Sequence, residues 1–235
     1  MSVKEFEKNI KDDFLRKVPL FNDLTPTEFE EIRRVFLERS YKKHQVVFLE
    51  EETGTYMYLV QNGKVKAVKS SPEGKEHILA IHYTGEFFGE MSLLDGKTSP
   101  ATIVAMEPCK LLIISKNDFQ YTLMRNQKIV GRMVTILCER LRDAWNQLPF
   151  LTSASAEDRI MSTIRRLAEK SGVRDQRGII VNTRITHMEL AEMCGTSRET
   201  ATRILLKLQA QGYLDIVDHK FVLLEKALRR IEITP

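Results

Sequence analysis

The chain has 235 residues, with 36 Lys and Arg against 32 Asp and Glu, for a formal net charge of +4. That length predicts two domains, and a composition of 43% hydrophobic and 29% charged residues excludes a disordered or fibrous chain. The charge is uneven: residues 1–152 are nearly balanced at +1, while the shorter stretch 153–235 carries +3, a mild pointer to an anionic partner there.

No apolar run reaches the ~18 residues of a membrane helix, and the charged stretch Met1 to Leu15 lacks the apolar centre of a signal peptide. Cys109, Cys138 and Cys194 are scattered and include no C-x-x-C pair. A disulfide framework, a structural zinc site and a four-cysteine iron–sulfur cluster are therefore not expected. The expectation is a soluble cytoplasmic protein with free thiols, no membrane partner and no metal site.

In chain order, residues 5–40 read as short helices. Thr25-Pro26 followed by Glu28 marks a helix start, and Leu24, Phe29, Ile32 and Phe36 give an apolar stripe. From about Tyr41 to Ile114 short apolar runs alternate with turn signals: Val46–Phe48, Tyr56–Val60, Val65–Val68, His77–Ile81, Ala101–Ala105 and Lys110–Ile114. Asn62-Gly63 between two runs is a hairpin signal. Many short strands at regular spacing predict an antiparallel barrel or jelly roll.

After Phe119 the period becomes helical. Val130, Val134, Leu137, Leu141, Ala144 and Leu148 follow a 4-3-4-3-4 spacing, the seam of a coiled coil between two identical helices. Ile129, Met133 and Ile136 form a second stripe, assigned to the barrel. Pro149 is expected to end this helix, and Thr152 to Ser155 reads as a hinge.

Beyond the hinge, Ser155 to Asp158 opens a helix through Ile160, Ile164 and Leu167 to Gly172. Two short pieces around Ile179–Val181 and Ile185 suggest strands. Thr186-x-x-Glu189 is a capping box, and the helix it starts stops at Cys194-Gly195. Ser197 then caps a helix from Arg198 to about Gln211, with Ala201, Ile204, Leu205 and Leu208 on one face. Arg198, Glu199, Thr202 and Arg203 fall on the other face, at the end where a recognition helix meets base edges. Arginine can donate two parallel bonds to guanine, and glutamate can accept from cytosine. Asp215 to Leu224 reads as a hairpin wing.

The run Thr196-Ser197-Arg198-Glu199-Thr200-Ala201-Thr202-Arg203-Ile204-Leu205 resembles the recognition helix of the Crp/Fnr family of bacterial transcription regulators. Glu73 to Leu79 and Gly85 to Glu90 resemble that family's sensor barrel, and the likeness covers nearly the whole chain. The resemblance implies an α+β protein with three parts: an N-terminal antiparallel β jelly-roll effector domain (1–125), a long dimerisation helix and hinge (126–152), and a C-terminal winged helix-turn-helix (153–235). It implies a homodimer that reads palindromic double-stranded DNA with TGTGA-like half-sites, with RNA polymerase as a protein partner. Thr196, Ser197, Arg198, Glu199, Thr202 and Arg203 would meet the DNA.

The family's cyclic-nucleotide binders carry Gly-Glu and then Arg-Ser or Arg-Thr before Ala. Here Gly89 and Glu90 are present, but Ser99 and Pro100 stand in the second pair. The charge that would balance a phosphodiester is missing, and a charge-assisted bond of that kind is worth roughly 1.5–3 kcal/mol. Ala144 and Trp145 stand where hydroxyl side chains would contact adenine. The expected effector is therefore a small molecule other than cyclic AMP, or cyclic AMP bound weakly, in a pocket of Met57, Leu79, Gly89, Glu90, Met91, Ser99, Thr102, Arg140 and Trp145. The alternatives are a cyclic-AMP-responsive activator with a compensated phosphate site, and a haem or redox sensor. His44, His77 and His82 are candidate haem ligands, though no spacing marks any of them, and Cys138 is a candidate redox thiol. A non-DNA alternative is a cyclic-nucleotide-binding regulatory subunit, which the helix-turn-helix opposes. No nucleophile–base pair, metal-ligand spacing or phosphate loop suggests an enzyme.

Overall fold

The computed structural model describes residues 12–71, 74, 76–153 and 155–229, with side chains described except at 146–153 and 229. The contacts divide the chain into two compact units, Met1–Leu141 and Arg142–Pro235.

In the first unit, α1 (Pro26–Arg34) starts with a reciprocal cap between Thr25 and Glu28. The Glu28 carboxylate also accepts bonds from Lys128 Nζ at 2.8 Å and Asn126 Nδ2 at 3.1 Å. The Lys128 ammonium foremost, and then the capping bonds, hold the Glu28 carboxyl at a pKa of about 2.

Eight strands follow: β1 (Leu37–Tyr41), β2 (Val46–Phe48), β3 (Tyr56–Asn62), β4 (Val65–Ser70), β5 (Glu76–His82), β6 (Phe87–Phe88), β7 (Thr102–Ala105) and β8 (Cys109–Ser115). They make two antiparallel four-stranded sheets, β1-β8-β3-β6 and β2-β7-β4-β5. This is a jelly roll, in keeping with the texture of the sequence.

Both faces of the first sheet are covered, so β3 and β8 read as unbroken apolar runs. Met57, Leu59, Leu112 and Ile114 join the helices on one side, with Phe29, Ile32, Ile129 and Met133. Tyr58, Val60, Leu111 and Ile113 face the second sheet, with Val65, Ala67 and Ile103.

Two sequence expectations fail here. Residues 37–40 are an edge strand, not helix; the first four positions of β1 are all exposed, so no periodicity marks them. Asn62-Gly63 does turn the chain, with Gly63 at φ +82°. Yet β3 and β4 do not pair with each other, because the turn carries the chain from one sheet to the other. A Cβ on Gly63 would lie 2.7 Å from Cys109 Cβ and 2.9 Å from the Pro108 carbonyl, so the crossover needs glycine for space as well as for φ.

A short helix α2 (Met91–Asp95) links β6 to β7, and α3 (Gln127–Ser153) follows β8. On α3, Ile129 and Met133 are buried in the core and Ile136 packs against it. Pro149 does not end α3, contrary to expectation. A proline inside a helix removes one ladder bond and crowds the carbonyl four residues back, at a cost of ~3 kcal/mol, yet α3 runs on to Ser153. The first two residues of the expected hinge, Thr152 and Ser153, are therefore helical, and α4 (Ala156–Ser171) starts from a second capping box, Ser155 with Asp158.

The second unit continues with β9 (Gly172–Arg174), β10 (Gly178–Val181), α5 (His187–Cys194), α6 (Arg198–Ala210), β11 (Leu214–Val217), β12 (Lys220–Leu224) and α7 (Glu225–Arg229). Its sheet runs β11-β12-β10-β9. Ile185 is buried but lies in no strand, and β9 had no signal in the sequence. The wing is a tight hairpin: Val217 pairs with Lys220, and Asp218 and His219 between them both have positive φ, at 50° and 60°. That is the backbone of a two-residue type I′ turn.

Candidate nucleic-acid interface and effector cavity

Helices α5 and α6 are joined by a turn that the sequence dictates locally. The Thr186 hydroxyl accepts from the Glu189 N–H, and the Glu189 carboxylate accepts from the Thr186 N–H at 2.7 Å. Gly195, in the left-handed region at φ 59°, stops α5. The Ser197 side chain accepts from the Thr200 N–H and starts α6.

Ala201, Ile204, Leu205 and Leu208 bury one face of α6. Arg198, Glu199, Thr202 and Arg203 lie together on the opposite face and, with Leu206, line an open groove. The Glu199 carboxyl is held below its ordinary range, first by its own backbone N–H at the helix start and then by Ser197 and Arg198. Thr196 is half-buried in the turn, and Ser197 is exposed at the cap. Reading the sequence missed two neighbours: Leu206, 61% exposed on this face, and His187, whose Nδ1 lies 3.0 Å from Thr202 Oγ1.

The expected effector residues scatter more widely. The jelly roll holds a cavity of about 210 Å³ lined by Arg39, Val47, Phe48, Glu52–Tyr56, Tyr58, Gly89, Ser92 and Ser99. Of the expected set, only Gly89 and Ser99 reach it. Met57 does not, because neighbouring strand residues face opposite sides and Tyr58 takes the inner one. Leu79, Met91 and Trp145 are exposed elsewhere. Half-buried Thr102 accepts the Glu50 N–H at 2.9 Å.

The Ser99 hydroxyl is buried and donates to the Ala101 carbonyl at 2.8 Å. Tyr58 stacks on Phe88 at 5.1 Å, and burial pushes its phenol up to about 12. Arg39 lies 4.9 Å above the Tyr56 ring. The alternating Tyr56 and Tyr58 on β3 were the overlooked signal for this cavity.

Glu90 and Arg140 do come together, but on each other. Arg140 Nη1 donates to Glu90 Oε1 at 3.1 Å, Nη2 donates to the Phe87 carbonyl at 2.6 Å, and the guanidinium lies over the Phe87 ring. Glu90 is 3% exposed, and its Oε2 is buried without a partner among the described residues.

Among the haem candidates, His44 is exposed in a turn, and His77 is half-buried on β5. His82 stacks on Phe88 at 5.3 Å and lies 3.5 Å from Glu86 Oε2. Among the described residues no cluster of three metal-ligating side chains occurs, and no helix is long and apolar enough to cross a membrane.

On α3, Val134 and Leu141 are exposed, as is Ala144, while Val130 and Leu137 are half-buried, Leu137 against the core. Leu148 lies outside the described side chains. Cys138 and Trp145 lie in the exposed stripe as well, so the solvent-facing line runs through 134, 138, 141 and 145.

Comparison with known proteins agrees with this architecture. A Cyclic nucleotide-binding domain family model matches residues 38–126, and a Crp-like helix-turn-helix domain matches residues 158–231. A cyclic AMP receptor protein of Thermus thermophilus is 34% identical over 83% of this chain and 87% of its own. A CRP-like cAMP-activated global transcriptional regulator of Mycobacterium tuberculosis is 23% identical, over 93% of this chain and 97% of its own. The solved structure of the c-di-GMP responsive global regulator CLP of Xanthomonas campestris covers 85% of this chain and 99% of its own, with a TM-score of 0.72 at 28% identity. The chain belongs to the Crp/Fnr family of transcription regulators, joining a cyclic-nucleotide-binding-type domain to a DNA-binding helix-turn-helix.

Proposed function

We propose that this chain is a homodimeric regulator whose α6 reads TGTGA-like half-sites, under control of a small effector that is not cyclic AMP or is cyclic AMP bound weakly. The observation that carries the DNA reading is the groove of Arg198, Glu199, Thr202 and Arg203 on the solvent face of a helix whose other face is core. Arg198 and Arg203 offer paired donors to guanine, and Glu199 offers an acceptor to cytosine. Dimerisation uses the exposed stripe of Val134, Leu141 and Trp145 on α3. Two half-sites one helical turn apart, about 34–36 Å, would then each meet one α6. RNA polymerase is the expected protein partner.

The effector reading rests on Ser99 and Glu90. Ser99 spends its hydroxyl on the Ala101 carbonyl and brings no cation. Oε2 of Glu90 has no partner among the described residues and can accept from a hydrogen-bond donor. The names of the Thermus and Mycobacterium relatives favour cyclic AMP, and that of the Xanthomonas regulator favours cyclic di-GMP.

The experiment is a fluorescence titration of the protein against a duplex with two inverted TGTGA half-sites, at one stated salt concentration. It is run without ligand, with cyclic AMP and with cyclic di-GMP. Binding indifferent to cyclic AMP supports the proposal. Tight binding only with cyclic AMP overturns its effector half. No preference over a scrambled duplex in any arm overturns the DNA half.

A further inference from the structure

The hydrogen bond between His187 and Thr202 joins the first residue of α5 to the middle of the reader face of α6, fifteen positions along the chain. Neither residue is fully buried. A threonine in a helix commonly rests its hydroxyl on the carbonyl one turn back, as Thr135 does on Gly131 at 3.1 Å. The Thr202 hydroxyl lies on the imidazole instead. A free hydroxyl has one proton and two lone pairs on a rotor, so it bonds to almost any base edge and discriminates poorly. A ring nitrogen that holds one of those functions leaves the groove a defined remainder. If the ring accepts, Thr202 shows the DNA lone pairs only; if the ring donates, Thr202 keeps its proton and one lone pair, held at fixed directions.

We infer that His187 is a positioning residue for base recognition: it orients the Thr202 hydroxyl, and the oriented hydroxyl selects the base at one half-site position. The inference rests on the proposal that α6 reads bases, and it adds a specificity determinant on α5.

The test is selection of bound duplexes from a pool randomised within the half-sites, followed by sequencing, with the full chain. The proteins are wild type, Arg198→Ala, Thr202→Val, His187→Ala, His187→Gln and the His187→Ala/Thr202→Val double variant. Thr202→Val and His187→Ala should each flatten the preference at the same position, by roughly 3-fold to 10-fold for one hydrogen bond. The double variant should flatten it no further. His187→Gln, which keeps a donor and an acceptor, should restore most of it, while Arg198→Ala flattens a different position.

If His187→Ala lowers affinity equally for all sequences, or Thr202→Val leaves the profile unchanged, while Arg198→Ala still alters it, the inference is overturned and the reading of α6 stands. If Arg198→Ala leaves the profile unchanged, both fall.

Discussion

The solvent face of α6, proposed to read DNA, and the interior of the jelly roll treat their polar groups in opposite ways. On α6, no ion pair among the described residues holds Arg198 or Arg203, and the groove they line is open. In the jelly roll, Glu90 is taken by Arg140, Arg140 also by the Phe87 carbonyl, and Ser99 by the Ala101 carbonyl. An exposed surface can leave its cations hydrated at little cost. A buried carboxylate cannot be left alone, since an unpaired charge in the interior costs several kcal/mol. A DNA site can thus stand ready before its partner arrives. A ligand that uses Glu90 or Arg140 must displace or add to a bond the protein already makes to itself. Its affinity is the difference between the two, and the exchange is where a binding event becomes a conformational signal.

The contrast can be broken most forcefully at Arg140. Arg140→Ala leaves Glu90 buried and uncompensated and should cost about 3 kcal/mol, the low end of the usual range because Arg140 retains 30% exposure. Urea denaturation would measure it, and no loss would mean that the pair is ornamental. Arg198→Ala should leave stability unchanged and remove roughly 1–3 kcal/mol of DNA binding, with relaxed preference at one guanine; a titration against matched and mismatched duplexes reads both effects.

Restoring the family pattern with Ser99→Arg and Pro100→Ser should raise cyclic-AMP affinity by about tenfold or more, the worth of a charge-assisted bond. The cavity that Ser99 lines gives the longer side chain room. Calorimetry showing no gain would mean that the missing cation is not what limits the ligand.

The smallest effect concerns Glu28, whose folded-state pKa of about 2 lies below the ordinary 4.5. A depressed carboxyl stabilises the fold fully above the unfolded-state value and loses that contribution as pH falls toward the folded-state value. Wild type should therefore outlast Glu28→Gln in thermal melts above pH 4.5, with the gap closing toward pH 2. A gap independent of pH would rule out the ionised cap as its source.

What was legible in the sequence was local. The helix starts read at Thr25, Ser155 and Thr186 all hold, each with a reciprocal cap three residues on, as the Thr186-x-x-Glu189 spacing predicts. The faces of α6 followed from its period. What was not legible depends on partners distant in the chain. Asn62-Gly63 announces a turn, but only the two packed sheets decide that the strands on either side do not pair. Met57 and Tyr58 are adjacent in sequence, yet one residue of strand parity sends one to the helices and the other to the cavity. Arg140 was legible as a cation near the sensor, but its fifty-residue reach back to Glu90 was not. Pro149 also carries a local cost in a helix, but that cost does not end α3, which runs on to Ser153.

The three thiols are unequal in a way that makes the chain convenient to watch. Cys109 and Cys194 are buried, and burial pushes both thiols above their ordinary range, whereas Cys138 is exposed on α3. Near neutral pH a maleimide dye should therefore react at one native position in the free chain, and because Cys138 lies in the stripe proposed to pair, its labelling should slow as the dimer forms. That position is seven residues from Trp145, the sole tryptophan, or about 10 Å along the helix. The unaltered protein thus carries a built-in donor and a single attachment point for an acceptor on the same helical stripe.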